Sequence, residues 1–191
     1  MELRIARVSD INEVLKLQDK YHVDSINEKD KKDGFVTTAF TKEQLIDLVN
    51  KEQGLFIGIK NKRVIAYLMA GSWEYWSQWS LFKHMIKELG NVKYLGMTLD
   101  TNNSYQYGPV CLDKSIRGSG ALELIFDFAR DKMSKKYPIL VTFVNVTNRR
   151  SYVAHIKKLG LTEVNKFEFN KNQYSELVYD TSKPLKSVIK Q

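Results

Sequence analysis

A chain of 191 residues with 43% apolar side chains can bury one core, so the sequence predicts one ordinary domain or a domain with a short appendage. Nowhere do eighteen apolar residues run together, Met1 opens no signal-peptide pattern, and Cys111 is the only cysteine. A membrane helix, an internal disulfide and a cysteine metal cluster are therefore excluded, and a cytoplasmic protein is expected. The formal charge of +8 favours anionic partners, but the lysines read mainly as solvated helix faces, and no long basic run or nucleic-acid motif occurs. His22, His84 and His155 are too scattered to suggest a metal site.

In chain order, a strand is predicted over Leu3–Arg7 and a helix from Asp10 to about His22. The polar stretch Asn27–Gly34 reads as a loop. Thr41-Lys-Glu-Gln44 is a capping box that opens a helix to about Glu52. Leu55–Lys60 and Val64–Ala70 read as strands joined by a hairpin at Asn61-Lys62. The segment 73–105 holds all three tryptophans, with Tyr75, Phe82 and Tyr94. It contains an amphipathic helix from Trp79 that ends near Gly90, and it reads either as an added helix on the core or as a wall of a binding pocket. A strand near Tyr107–Leu112 leads to a helix from Gly118 to about Lys136. Strand Ile139–Asn145, helix Arg149–Leu159 and strands near Glu163–Phe169 and Tyr174–Asp180 complete the pattern. The polar tail from Ser182 to Gln191 is expected to fray. Alternating elements with antiparallel ends indicate an α/β (α+β) fold, a mixed sheet covered by helices.

Arg117-Gly118-Ser119-Gly120-Ala121 joins the apolar strand to a helix. Such a junction aims backbone N–H groups and the positive end of a helix dipole at one point, which suits a phosphate or pyrophosphate. Gly118 and Gly120 admit close backbone approach, and Arg117 adds charge. A P-loop needs Lys followed by Ser or Thr after its last glycine, and Ala121-Leu122 stands there. A dinucleotide fingerprint needs a third small residue where Glu123 stands.

The second motif runs Asn148-Arg-Arg-Ser151-Tyr152-Val-Ala-His155-Ile-Lys-Lys-Leu159-Gly160. Asn148 suits a helix cap and Gly160 a helix end. At 3.6 residues per turn, Asn148, Ser151, Tyr152, His155 and Leu159 share one face.

Together these motifs resemble the GNAT N-acetyltransferase superfamily, whose acyl-coenzyme-A loop has the pattern Gln/Arg-x-x-Gly-x-Gly/Ala. The glycines fall on Gly118 and Gly120, while Ser115 occupies the leading position, a departure. The family's later helix begins with asparagine and carries a hydroxyl-bearing acid. Seven residues after Asn148 stands His155; the usual spacing back from Gly160 lands on Ile156.

The resemblance covers most of the chain and implies a single GNAT domain over 1–181 with an insertion at 73–105 and a tail at 182–191. It implies direct transfer of an acetyl group from acetyl-CoA to an amine of a small molecule or peptide. Backbone around Val110 and Leu112 would hold the pantetheine arm in a splay between strands, and Arg117–Ala121 the pyrophosphate. Asn148 and Ser151 would lie along the cofactor, and His155 or Tyr152 would protonate the thiolate. Glu74, Asp100 and Asp113 are candidates for the base by location only. Cys111 has no base placed beside it and is not required by the family. A homodimer is compatible with this reading. The alternatives are a non-catalytic acyl-CoA-binding module and, less favoured, a basic nucleic-acid-binding protein.

Overall fold

The computed structural model describes residues 1–31 and 35–185. Its strands are β1 (Glu2–Ile5), β2 (Leu55–Lys60), β3 (Arg63–Gly71), β4 (Lys93–Tyr94), β5 (Met97–Thr98), β6 (Ser104–Leu112), β7 (Ile139–Asn145), β8 (Thr162–Phe169) and β9 (Asn172–Asp180). Seven of them form a mixed, mostly antiparallel sheet in the order β1-β2-β3-β6-β7-β9-β8, and β4 and β5 form a separate ribbon. β6 and β7 run parallel, while β1·β2, β2·β3, β7·β9 and β9·β8 are antiparallel. The chain divides into two compact units, Met1–Ala70 with Gly108–Ala129, and Gly71–Tyr107 with Arg130–Gln191.

In the first unit, helix α1 (Ile11–Tyr21) buries Ile11, Val14, Leu17, Gln18 and Tyr21, the recurrence of an amphipathic helix. Gln18 is the polar member of that stripe and is satisfied at both ends. It donates to the Phe40 carbonyl at 3.2 Å and accepts from the Phe40 N–H at 3.0 Å. Asn27–Gly34, expected as a loop, contains the helical turn α2 (Glu28–Lys31), and 32–34 lie outside the described residues. Helix α3 (Lys42–Asp47) opens on the expected capping box. The Gln44 N–H reaches Thr41 Oγ1 at 3.2 Å, and Gln44 Oε1 accepts from the Thr41 N–H at 2.9 Å. Asn61 and Lys62 take φ of 51° and 62°, the left-handed pair of a type I′ hairpin.

In the second unit, the aromatic insertion forms α4 (Trp73–Trp76), capped by Ser72, and α5 (Ser80–Glu88). Trp76 packs on Tyr75, Trp79 and Phe82 at ring separations of 5.0, 5.6 and 4.9 Å. Phe82 in turn meets Phe143 of β7 at 5.5 Å, and His84 meets Phe167 and Phe169 of β8 at 5.6 Å. Trp73 donates its indole N–H to Ser104 Oγ at 3.0 Å, so its one polar atom is satisfied in the interior. Trp73 and Trp76 are thus core side chains, and Trp79 is half-buried. The tail is tied down at its start: Tyr179 donates to the Lys183 carbonyl at 2.9 Å and Leu185 is buried. Residues 186–191 lie outside the described residues.

Candidate active site

The glycine loop lies wholly in the first unit. After β6, Asp113 caps a short 3₁₀ turn, Lys114–Ile116, by accepting from the Ser115 N–H at 2.9 Å. Helix α6 (Ala121–Met133) begins three residues later than expected from Gly118. The reason is backbone conformation: Gly118 and Gly120 have φ of +82° and +85°, which no right-handed helix contains. A Cβ at either position would meet nothing within 4 Å, so both glycines present bare, open backbone. The first N–H groups of α6 have no intrahelical acceptor and carry the positive end of its dipole. Ser119 is exposed, and its hydroxyl turns back to donate to the Ile116 carbonyl at 2.7 Å. Arg117 is held rather than free: its Nε donates to the Leu112 carbonyl at 3.0 Å, and its guanidinium lies 4.6 Å from the Tyr21 ring centre. Of the strand residues singled out, Val110 is half-buried, and the Leu112 carbonyl already accepts from Arg117.

The polar stripe lies in the second unit. Asn148 caps α7 (Arg149–Val153) through Oδ1, which accepts from the Ser151 N–H at 3.2 Å, so its amide group remains available as a donor. The helix then widens into a π turn, Ala154–Lys158, closed by Leu159 N–H to the Ala154 carbonyl at 3.1 Å. A π turn accommodates one extra residue. That residue explains why counting forward from Asn148 reaches His155 and counting back from Gly160 reaches Ile156. His155 is 5% exposed and lies edge-on to Tyr107, with ring centres 5.6 Å apart. Its Nδ1 is 2.8 Å from the Ser151 carbonyl, which can only accept, so Nδ1 carries the proton and Nε2 a lone pair. Burial pushes the imidazole pKa down, with the Ser151 carbonyl partly opposing, and the ring is neutral near pH 7. Tyr152 is hydrogen-bonded to the Glu163 carboxylate, which holds the phenol above its ordinary pKa and keeps it protonated.

No family model and no curated protein matches this sequence. Solved structures do match along nearly the whole chain. The ribosomal-protein-alanine N-acetyltransferase of Brucella melitensis superposes with a TM-score of 0.60 at 14% identity, covering 94% of this chain and 99% of that one. A GNAT-family acetyltransferase of Streptococcus agalactiae gives 0.62 at 13% identity, covering 94% of each chain. The yncA protein of Salmonella typhimurium, solved with its cofactor acetyl-CoA, gives 0.61 at 11% identity over 96% of this chain and 95% of that one. This chain has the GNAT fold.

Within that GNAT fold, the acids chosen by location differ in what they can do. Asp113 is an ion-pair and cap residue: Lys20 Nζ is 2.7 Å from one oxygen, and Ser115 N–H bonds the other. Burial works against its charge, but those bonds prevail and hold the carboxyl well below the usual range, which removes its capacity as a base. Asp100 closes a turn by accepting from the N–H groups of Asn102 and Asn103. Glu74 is exposed beside the buried Trp73. Burial pushes the Cys111 thiol up to about 12, so it is no thiolate nucleophile. Sequence reasoning missed Glu176, on β9 opposite Phe143 and Asn165. It is 2% exposed, and burial raises its pKa, with Asn165 partly opposing through a 3.3 Å bond. The signal was an acid placed directly before the apolar run Leu177-Val178-Tyr179.

Proposed function

We propose that this protein is an acetyl-CoA-dependent N-acetyltransferase that moves the acetyl group directly to an amine of a small molecule or peptide. The observation that carries the reading is the open, left-handed Gly118–Gly120 backbone leading into α6 within a GNAT fold. An anion reaches those N–H groups without meeting a side chain, which fits the pyrophosphate of coenzyme A. The solved yncA protein of the same fold binds acetyl-CoA. Arg117, Gly118, Ser119, Gly120 and Ala121 are assigned to the pyrophosphate, Val110 and Leu112 to the pantetheine arm, and Asn148 and Ser151 to contact along it.

Transfer requires a neutral amine to attack the thioester carbonyl and a donor to protonate the departing thiolate. Two groups stand as candidates for that donor. Tyr152 holds its proton, as a donor must. His155 is neutral, with its one N–H committed to Ser151, which suits Nε2 to accept rather than supply a proton. Tyr152 likewise commits its one O–H to the Glu163 carboxylate, so the donor is whichever of the two gives up that bond as the thiolate forms. Glu176, buried on β9 and bonded to Asn165, is a further candidate to take the amine proton. The test is a panel of amines, amino acids and peptide N-termini offered with acetyl-CoA, following free thiol. Thiol release dependent on one acceptor supports the reading; tight acetyl-CoA binding with no release from any acceptor leaves a binding module instead.

A further inference from the structure

A groove of about 790 Å³ lies between α1 and the β2–β3 turn, within the first unit. It is within the usual size range of small-molecule sites, roughly 300–1,000 Å³. Its lining is basic. Lys16 and Lys20 stand one turn apart on α1, and Lys62 and Arg63 come from the hairpin. Glu13 and Asp113 also line it, but each is already engaged: Glu13 pairs with Lys16 at 2.6 Å and Asp113 with Lys20 at 2.7 Å. Lys62 and Arg63 have no ion-pair partner among the described residues. The groove thus gathers more positive charge than it neutralises.

The charge is placed on firm backbone. Lys62 occupies a left-handed turn position, where asparagine or glycine is the usual choice, and its register is fixed by the Lys60–Arg63 pair. On the opposite wall, α1 is bound to the segment that follows β6. Lys20 and Tyr21 both reach Asp113, and the Lys114 N–H donates to the Tyr21 hydroxyl at 2.7 Å. Asn61 lines the same space and supplies a neutral donor, while Ser115 is turned onto Asp113. The uncompensated charge sits on the hairpin, while Lys16 and Lys20, though paired, are 75% and 58% exposed and free to turn toward a polyanion. A single carboxylate needs only the hairpin; a chain of phosphates adds charge enough to draw the α1 lysines as well.

We propose that this groove binds a polyphosphate chain, free or carried by a nucleotide, and that Lys62 and Arg63 supply its unneutralised charge. The groove adjoins the segment 113–115 that leads into the glycine loop, and binding there does not depend on acetyl transfer. The experiment is calorimetry of the full chain with inorganic tripolyphosphate and with ATP at near-physiological salt. The wild type is compared with the double variant Lys62→Gln, Arg63→Gln, with Lys16→Gln and with Gly120→Asp. Saturable binding is expected and persists in Gly120→Asp, in which the glycine loop is closed to anions; the groove's share is weakened at least tenfold in the double variant and less in Lys16→Gln. Tighter binding of ATP than of tripolyphosphate identifies a nucleotide as the carrier; equal binding identifies the phosphate chain alone. Because Lys16 lies on an exposed helix face, its variant reports even if the turn variant folds poorly. Failure of both probes to saturate the wild type overturns the proposal. So does loss of binding in Gly120→Asp with none in the lysine and arginine variants, which would assign the phosphates to the glycine loop.

Discussion

Gly120→Asp separates anion binding from folding. At φ of +85° a non-glycine residue costs about 1–2 kcal/mol in backbone strain. A carboxylate next to the first turn of α6 returns about 0.3–1 kcal/mol through the helix dipole. No steric term is added, because a Cβ there meets nothing within 4 Å. The net loss of stability is about 1 kcal/mol, which for a chain of this size lowers Tm by about 2–4 °C. The effect on a bound pyrophosphate is larger. Two like charges about 5 Å apart at an effective dielectric constant near 20 repel by about 3 kcal/mol. That is more than a hundredfold in affinity. Calorimetry with acetyl-CoA should therefore show at least a hundredfold weakening in a variant that melts only a few degrees lower. Gly120→Ala carries the same strain without the charge and should lose far less affinity. A folded Gly120→Asp protein that binds acetyl-CoA within threefold of the wild type would refute the placement of the pyrophosphate on this loop.

The other expected outcomes concern the second unit. Once an acceptor is known, either Tyr152→Phe or His155→Ala should lower kcat at saturating acetyl-CoA by about 10²–10⁴-fold, as loss of a general acid does, and the variant with that effect identifies the donor; less than a tenfold loss in both would place the acid elsewhere. Trp76 is fully buried, so Trp76→Ala should cost about 3–5 kcal/mol and show as a large fall in Tm, whereas Trp79→Ala, half-buried, should chiefly raise the KM for the acceptor. Normal acceptor kinetics in Trp79→Ala would leave the insertion a packing element. Glu176 has a folded pKa above its ordinary 4.5, so its contribution is fully favourable below that value and is lost as pH rises through the raised one. Glu176→Gln should therefore melt higher than the wild type near pH 7, with the difference vanishing toward pH 4, while removing a base it should lower kcat on the alkaline side. His155 has a folded pKa below 6.5, so its contribution is present above pH 6.5 and fades as pH falls through the lowered value. His155→Gln should flatten that acid limb of the Tm profile.

Much of the fold is written locally. Ile139–Asn145 is a short β-branched run, and the strand has those limits because such side chains suit a pleated surface buried on both faces. The capping box at Thr41 and the turn at Asn61-Lys62 formed as read, since each depends on atoms three residues apart or fewer. Gly118 and Gly120 were legible as a loop for the same reason, although the helix was expected to start at the first glycine rather than after the second. The chain also determined, by its composition, that no disulfide or cysteine cluster could hold it together.

What the tertiary structure decided are the properties that arise from burial and from partners distant in sequence. Nothing near Asp113 in the chain says that Lys20, ninety-three residues away, neutralises it and makes it a cap rather than a base. Whether Trp76 is core or Trp79 a pocket wall depends on which ring the sheet receives, and Phe143 receives Phe82 of that cluster. The π turn at Ala154–Lys158 resolves two conflicting counts along one helix, because an extra residue is absorbed where packing at both ends is already set. Glu176 and His155 look like ordinary titratable residues in the sequence. Their pKa values move because enclosure removes the water that would stabilise their charge, and enclosure exists only once strands and helices far apart in the chain have met.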